Sequence, residues 1–141
     1  MILYLDTSAA IKLYVEEAGT PAVVARVGAA EAVATVRVTY AEARAALARH
    51  RREGGLTPVG LRRAVRELDR EWGMYNIVDV NDPLVRRAGA LAERHGLRGY
   101  DAVQLAAALD LRAAGAPVEF LSFDSWLNRA ARRERLFAHS T

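Results

Sequence analysis

An α/β sandwich around a mostly parallel sheet is the fold this sequence predicts, and three observations predict it. Four short apolar runs are spaced along the chain by longer helical patterns, three of the runs are nearly continuous, and Pro, Gly, Asp and Thr punctuate the joints. Continuous apolar runs are how strands look when helices cover both faces of their sheet. Strands that alternate with helices give parallel rather than hairpin pairing.

The runs are Ile2-Leu3-Tyr4-Leu5, Ala32-Val33-Ala34-Thr35-Val36, Ile77-Val78-Asp79-Val80 and Val118-Glu119-Phe120-Leu121. Asp6, followed by Thr7 and Ser8, is placed to cap a helix running through Ile11 and Tyr14. Thr20-Pro21 opens the next helix and Gly28 closes it. Two helices, Thr39 to Glu53 and Thr57 to Trp72, follow with only the Gly54-Gly55 break between them, which reads as a helical hairpin. Leu61, Val65, Leu68 and Trp72 make the apolar stripe of the second. Asp82-Pro83 starts a helix with Leu84, Ala88 and Leu91 on one face and Gly96 at its end. The segment Tyr100 to Ala114 is apolar nearly all round and stops at Gly115, the pattern of a buried central helix. With no linker, repeat or low-complexity tract, residues 1–141 read as a single domain.

Composition narrows the chemistry. There is no Cys, which removes disulfides, zinc-thiolate sites and thiol nucleophiles, and is compatible with a cytoplasmic protein. The first fifteen residues lack a basic start and carry Asp6, unlike a signal peptide, and no stretch is long enough to span a bilayer. Net charge is +3, and Lys12 is the sole lysine among twenty strong bases. Arginine suits phosphate, although Arg62, Arg63, Arg66 and Arg70 interleave with Glu67 and Glu71 as solvated helix pairs do. Arg49, Arg51 and Arg52, with Arg129, Arg132, Arg133 and Arg135, are the other basic groups. His50 and His95 suit helix ends and His139 falls in the tail, so no His acid–base pair is expected. Ser8, Ser122 and Ser125 have no His partner for nucleophilic catalysis.

Four acids from distant parts of the chain remain: Asp6, Glu42, Asp101 and Asp124. Singly, each has a structural explanation. Asp6, Asp101 and Asp124 precede helical runs as caps do, and Glu42 three residues after Thr39 could complete a capping box. Jointly they fall near the carboxyl ends of strands or at a helix start, where open parallel sheets bind ligands. Two carboxylates ~6 Å apart at an effective dielectric of ~20 repel by about 3 kcal/mol, so a cluster of four needs a cation. Hard divalent ions such as Mg2+ or Mn2+ take such oxygen donors. A haloacid-dehalogenase-type phosphatase would need a second acid where Ser8 stands. A receiver domain would need an acidic pair and a late lysine.

Four stretches carry a resemblance: Leu5-Asp6-Thr7-Ser8-Ala9, Tyr40-Ala41-Glu42, Tyr100-Asp101-Ala102-Val103-Gln104-Leu105-Ala106, and Ser122-Phe123-Asp124-Ser125-Trp126-Leu127-Asn128-Arg129-Ala130-Ala131. In this order, over nearly the whole length, the chain resembles the PIN-domain ribonucleases and, among them, the VapC toxins of toxin–antitoxin pairs. The resemblance implies a three-layer α/β/α PIN-like domain that hydrolyses RNA with Mg2+ or Mn2+ held by Asp6, Glu42, Asp101 and Asp124. Asp6 and Asp101 match the most regular ligand positions, and Thr7 or Ser8 matches a supporting hydroxyl. It further implies a homodimer, inhibited by a cognate antitoxin protein. The rival reading is a catalytically silent PIN-like module that binds RNA or protein.

Overall fold

In the computed structural model, which describes residues 1–138, five strands form one parallel sheet. β1 (Ile2–Leu5) lies at its centre, between β2 (Ala32–Val36) and β4 (Val118–Leu121). β3 (Asn76–Val78) extends the sheet beyond β2 and β5 (Phe137–Ala138) beyond β4, giving the order β3-β2-β1-β4-β5. In register, Leu3 stands beside Val33 on one side and Glu119 on the other.

Because successive strand side chains point to opposite faces, Tyr4 and Phe120 share one face while Leu3, Leu5 and Leu121 share the other. On the first face Tyr4, Val36 and Phe120 pack against α5 (Asp82–His95), α6 (Gly99–Ala113) and α7 (Ser125–Arg133) through Leu84, Leu105 and Leu127. The rings of Tyr4 and Phe120 stack at 5.5 Å. On the second face the leucines meet Ala9 and Ala10 of α1 (Thr7–Ala10) and its following turn, and Val23 of α2 (Thr20–Ala29). The hairpin of α3 (Thr39–Arg52) and α4 (Pro58–Trp72) keeps a cluster of its own, in which Ala43, Leu47, Ala64 and Leu68 close over Tyr14 and Val15. The three-layer α/β/α arrangement is therefore the one expected.

Several boundaries differ from the sequence reading. The α2 helix passes through Gly28 to Ala29, since a glycine with open space around it weakens a helix without ending it. The helix after Asp6 tightens into a 3-10 turn at Ile11–Leu13 instead of running on to Tyr14. The third strand spans Asn76–Val78, so Asp79 and Val80 lie beyond the sheet, and Asp79 pairs with Arg37 at 2.6 Å. α6 starts at Gly99 and carries Asp101 inside its first turn, with Arg98 as the cap residue. The short edge strand β5 has no apolar run of its own to announce it. Among the described residues, Arg62, Arg63, Arg66 and Arg70 form no ion pair with Glu67 or Glu71.

Topology decides where a ligand can sit. From β1 the chain builds outward through β2 and β3, then returns to place β4 on the other side of β1. The connections leaving β1 and β4 thus diverge, opening a crevice at the carboxyl end of the sheet. Asp6 follows β1 directly, and Asp124 follows β4 after Ser122 and Phe123.

Candidate active site

All four acids singled out from the sequence converge. A cavity of about 140 Å3 at the strand ends is lined by Asp6, Glu42, Asp101 and Asp124, together with Thr7, Ser8, Arg98 and Gln104. Each acid arrives on a different element.

Asp6 sits at the floor, 4% exposed, and is the N-cap of α1, its Oδ1 accepting from the Ala9 amide at 3.0 Å. Ser8 Oγ donates to the same oxygen at 2.7 Å, and Ser122 Oγ donates to Oδ2 at 2.6 Å. Burial pushes the Asp6 carboxyl up to about 6, the nearby Asp124 charge adds to this, and the three donated bonds oppose it. Capping alone therefore does not describe Asp6, because a cap needs no buried charge.

Glu42 does not close the capping box expected from Thr39. Its Oε1 accepts from Thr7 Oγ1 at 2.6 Å and from Gln104 Nε2 at 3.0 Å, and the cap position of α3 is held by Val38 without a side-chain bond. The orientation of Gln104 is fixed by its other end. Burial and the neighbouring Asp6 charge push the Tyr4 phenol far up, so it stays protonated and donates to Gln104 Oε1 at 2.7 Å. Gln104 Nε2 must then face Glu42, Thr39 Oγ1 at 3.0 Å and Thr7 Oγ1 at 3.2 Å. Thr39 meets Thr35 Oγ1 at 2.8 Å, and Thr35 bonds the Leu5 carbonyl at 2.7 Å. A chain of buried polar groups thus ties the strand before Asp6 to the helix that carries Glu42. Such networks hold a geometry because any member left unpaired is expensive.

Asp124 caps α7, with Oδ1 accepting from the amides of Trp126 at 2.9 Å and Leu127 at 3.1 Å. Its own amide donates to Ser122 Oγ at 3.0 Å, so one serine hydroxyl links Asp124 to Asp6. Asp101 pairs with Arg98, Nε to Oδ2, at 3.1 Å. That Asp101 bond, with the charges of Asp124 and Glu42 beyond it, holds the Arg98 guanidinium above its ordinary value.

Thr7 and Ser8 divide the supporting role, Ser8 bonding Asp6 and Thr7 bonding Glu42. His50 lies against Glu17 at 3.4 Å and His95 bonds Glu134 at 2.6 Å; neither lines the cavity, and His139 lies outside the described residues. Three lining or supporting residues carry no role in the sequence reading: Gln104, Ser122 and Arg98. A signal existed for Gln104, the one polar side chain in the apolar stretch from Ala102 to Leu109. Arg98 had none, since an exposed arginine before a helix is commonplace.

The donor set is carboxylate oxygen throughout, the chemistry that hard divalent cations prefer. Among the described residues, no three Asp, Glu or His side chains already stand together as a finished ligand set. Mg2+ commonly keeps several waters and takes only one or two carboxylates directly, so the four acids need not all be ligands. Arg98 supplies the positive charge on Asp101, and the Asp6 proton is held unusually late. Burial is the main cause at Asp6 and the Asp124 charge a smaller one, while Asp101 is what raises Arg98.

A parallel α/β/α sheet with acids gathered at its switch point defines a class, and comparison with known proteins specifies it. A PIN domain model matches residues 3–133, so the chain belongs to the PIN-domain family. Ribonuclease VapC45 of Mycobacterium tuberculosis is 38% identical over 108 residues, covering 77% of this chain and 75% of that one. FitAcB from Neisseria gonorrhoeae superposes with a TM-score of 0.72 at 19% identity, covering 99% of this chain and 97% of that one. A toxin–antitoxin complex from Klebsiella pneumoniae gives a TM-score of 0.62 at 17% identity, with 87% of each chain covered. The two structures speak for the fold; the family match and VapC45 speak for kinship.

Proposed function

We propose that this chain is a Mg2+- or Mn2+-dependent endoribonuclease and the toxin of a VapBC-type toxin–antitoxin pair. The convergence of Asp6, Glu42, Asp101 and Asp124 on one cavity carries the reading. Kinship with a protein named as a ribonuclease supports it. A bound divalent ion would neutralise phosphate charge and make water nucleophilic near neutral pH. Asp6 and Asp101 would hold it directly, and Glu42 and Asp124 would orient water on either side. Ser8 and Ser122 keep Asp6 in place, while Thr7 and Gln104 aim Glu42. Attack by external water leaves 5′-phosphate and 3′-hydroxyl ends, in contrast to nucleases that use the ribose 2′-hydroxyl.

The whole 1–141 stretch acts as one PIN-like unit, in the cytoplasm where its RNA is. The described residues include no helix long and apolar enough to cross a membrane. A homodimer is supported by an exposed apolar groove of about 450 Å3 between α5 and α6, lined by Val85, Ala88, Gly89, Ala92, Tyr100 and Val103 among others. An antitoxin protein is the natural partner, given a structural neighbour that is itself a toxin–antitoxin complex.

Purified protein, incubated with structured RNA and Mn2+, should cut it, and Asp6→Asn or Asp101→Asn should lower the rate by several orders of magnitude. Equal cutting by those variants would assign the activity to a contaminant. Expression should arrest growth, relieved by a small protein encoded alongside.

A further inference from the structure

We propose that Trp126 forms a base-stacking subsite beside the acidic cavity, occupied by an unpaired nucleobase of the RNA strand being cut. This rests on the nuclease reading and adds the form in which substrate is held, as a single strand with at least one base turned out next to the scissile phosphate.

A second cavity, of about 250 Å3, is lined by Gly96, Leu97, Arg98, Asp101, Asp124 and Trp126. Three of these, Arg98, Asp101 and Asp124, also line the acid site, so the two cavities are parts of one cleft. The volume falls just under the roughly 300–1,000 Å3 of drug-sized ligand sites, which suits one ring system. Its walls combine an indole, the Leu97 side chain and an arginine, the surfaces on which unstacked bases settle.

Nothing in the fold asks for an aromatic residue at 126. The buried side of α7 is made by Leu127, Ala130 and Ala131, and Trp126 remains 63% exposed. Its main chain is nonetheless fixed, because its backbone amide is bonded to Asp124 Oδ1 at 2.9 Å. The backbone that carries the platform is thereby tied to one of the acids. Arg129 stands over the indole, its guanidinium carbon 5.2 Å from the ring centroid. Arg98 lines both cavities, its side chain 84% exposed and paired with Asp101 at 3.1 Å. Two arginines flanking an exposed aromatic fit a polyanion that carries bases.

The test uses the full chain. In a Trp72→Phe, Asp6→Asn background, Trp126 is the sole tryptophan, and a short single-stranded oligoribonucleotide should quench its fluorescence while the same sequence as a duplex should not. In the cleavage assay, Trp126→Ala should lower kcat/KM by roughly 5- to 150-fold, the range that base–aromatic stacking gives on alanine substitution. Trp126→Phe should restore most of it. An abasic nucleotide beside the cut bond should make wild type and Trp126→Ala equal. Absence of quenching, or a Trp126→Ala variant that cuts like wild type, would overturn the subsite and point to a protein-binding role for this residue. Quenching in a protein that cuts no RNA with Mn2+ would instead sink the nuclease reading and leave the base platform standing.

Discussion

Replacing Asp6 by Asn should make the metal-free protein more stable, although the same change should abolish activity. Asp6 is buried, and its carboxyl is raised from 3.8 to about 6. The folded state therefore binds this proton more tightly than the unfolded chain does. That contribution to stability is complete below pH 3.8 and is lost as pH rises through about 6. Two units at 1.36 kcal/mol each amount to about 3 kcal/mol withheld from the fold at pH 7.5. Asn keeps an oxygen for the Ala9 amide and is as good an N-cap as Asp. It loses one accepted bond, because its amide faces Ser122, and that costs about 1 kcal/mol. The balance is a gain of about 2 kcal/mol, or roughly 6 °C in Tm at about 3 °C per kcal/mol for a chain of this size. Thermal unfolding by circular dichroism in EDTA, run from pH 4 to pH 7.5, reads it directly. The Asn advantage should shrink towards pH 4, where wild-type Asp6 is protonated. An Asn variant no more stable than wild type at pH 7.5, or one whose advantage ignores pH, would show that Asp6 is an ordinary cap.

Four other outcomes follow from the same geometry. Millimolar Mn2+ should raise the Tm of wild type and leave Asp6→Asn nearly unmoved, since an ion bound only to the folded site stabilises by mass action; differential scanning fluorimetry checks this. Gln104→Met preserves volume but strips the bonds to Tyr4, Thr39 and Glu42, and should cost about 2–3 kcal/mol in urea unfolding and lower the cleavage rate. Glu134 is held below its ordinary value because bonds from His95 and Arg94 outweigh the upward push of burial. Its contribution is present above pH 4.5 and lost as pH falls further, so Glu134→Gln should flatten the acid limb of a stability–pH profile. On the proposed homodimer, Gly89→Arg should yield a monomer by light scattering with little change in Tm, because a Cβ there meets no atom within 4 Å.

What the sequence made legible follows from which forces are local. Strand positions show because burial on both faces demands unbroken apolar runs, and helix starts show because Pro21, Thr57 and Pro83 act within a few residues of themselves. The acids were legible as a set because each sits at or just inside the start of a helix, and helices that follow parallel strands start at one edge of the sheet. The support network was not. Tyr4 and Gln104 are separated by a hundred residues, and no spacing rule connects them. Glu42 illustrates the limit well. Its position relative to Thr39 has the form of a capping box, but Thr39 lies inside α3 with Val38 at the cap, and Thr7 and Gln104 hold the carboxylate in the cavity. The edge strand β5 escaped because its pairing with Glu119 and Phe120 is a property of β4 more than of Phe137 and Ala138.

The same reasoning explains why cap and ligand roles need not compete at Asp124. A carboxylate has two oxygens, and here one of them, Oδ1, takes both helix amides. Among the described residues, Oδ2 has no hydrogen-bond donor. An asparagine at this position would cap α7 equally well, so a purely structural site has no use for the second oxygen or for the charge it carries towards Asp6. Asp124→Asn consequently separates the two roles. Stability should stay within about 0.5 kcal/mol of wild type, while the Mn2+-dependent rise in Tm and the cleavage rate should both fall. If Asn at 124 retained full cleavage and the full metal response, the charge of Asp124 would have no part in the site, and the cavity would have to work with the other three acids.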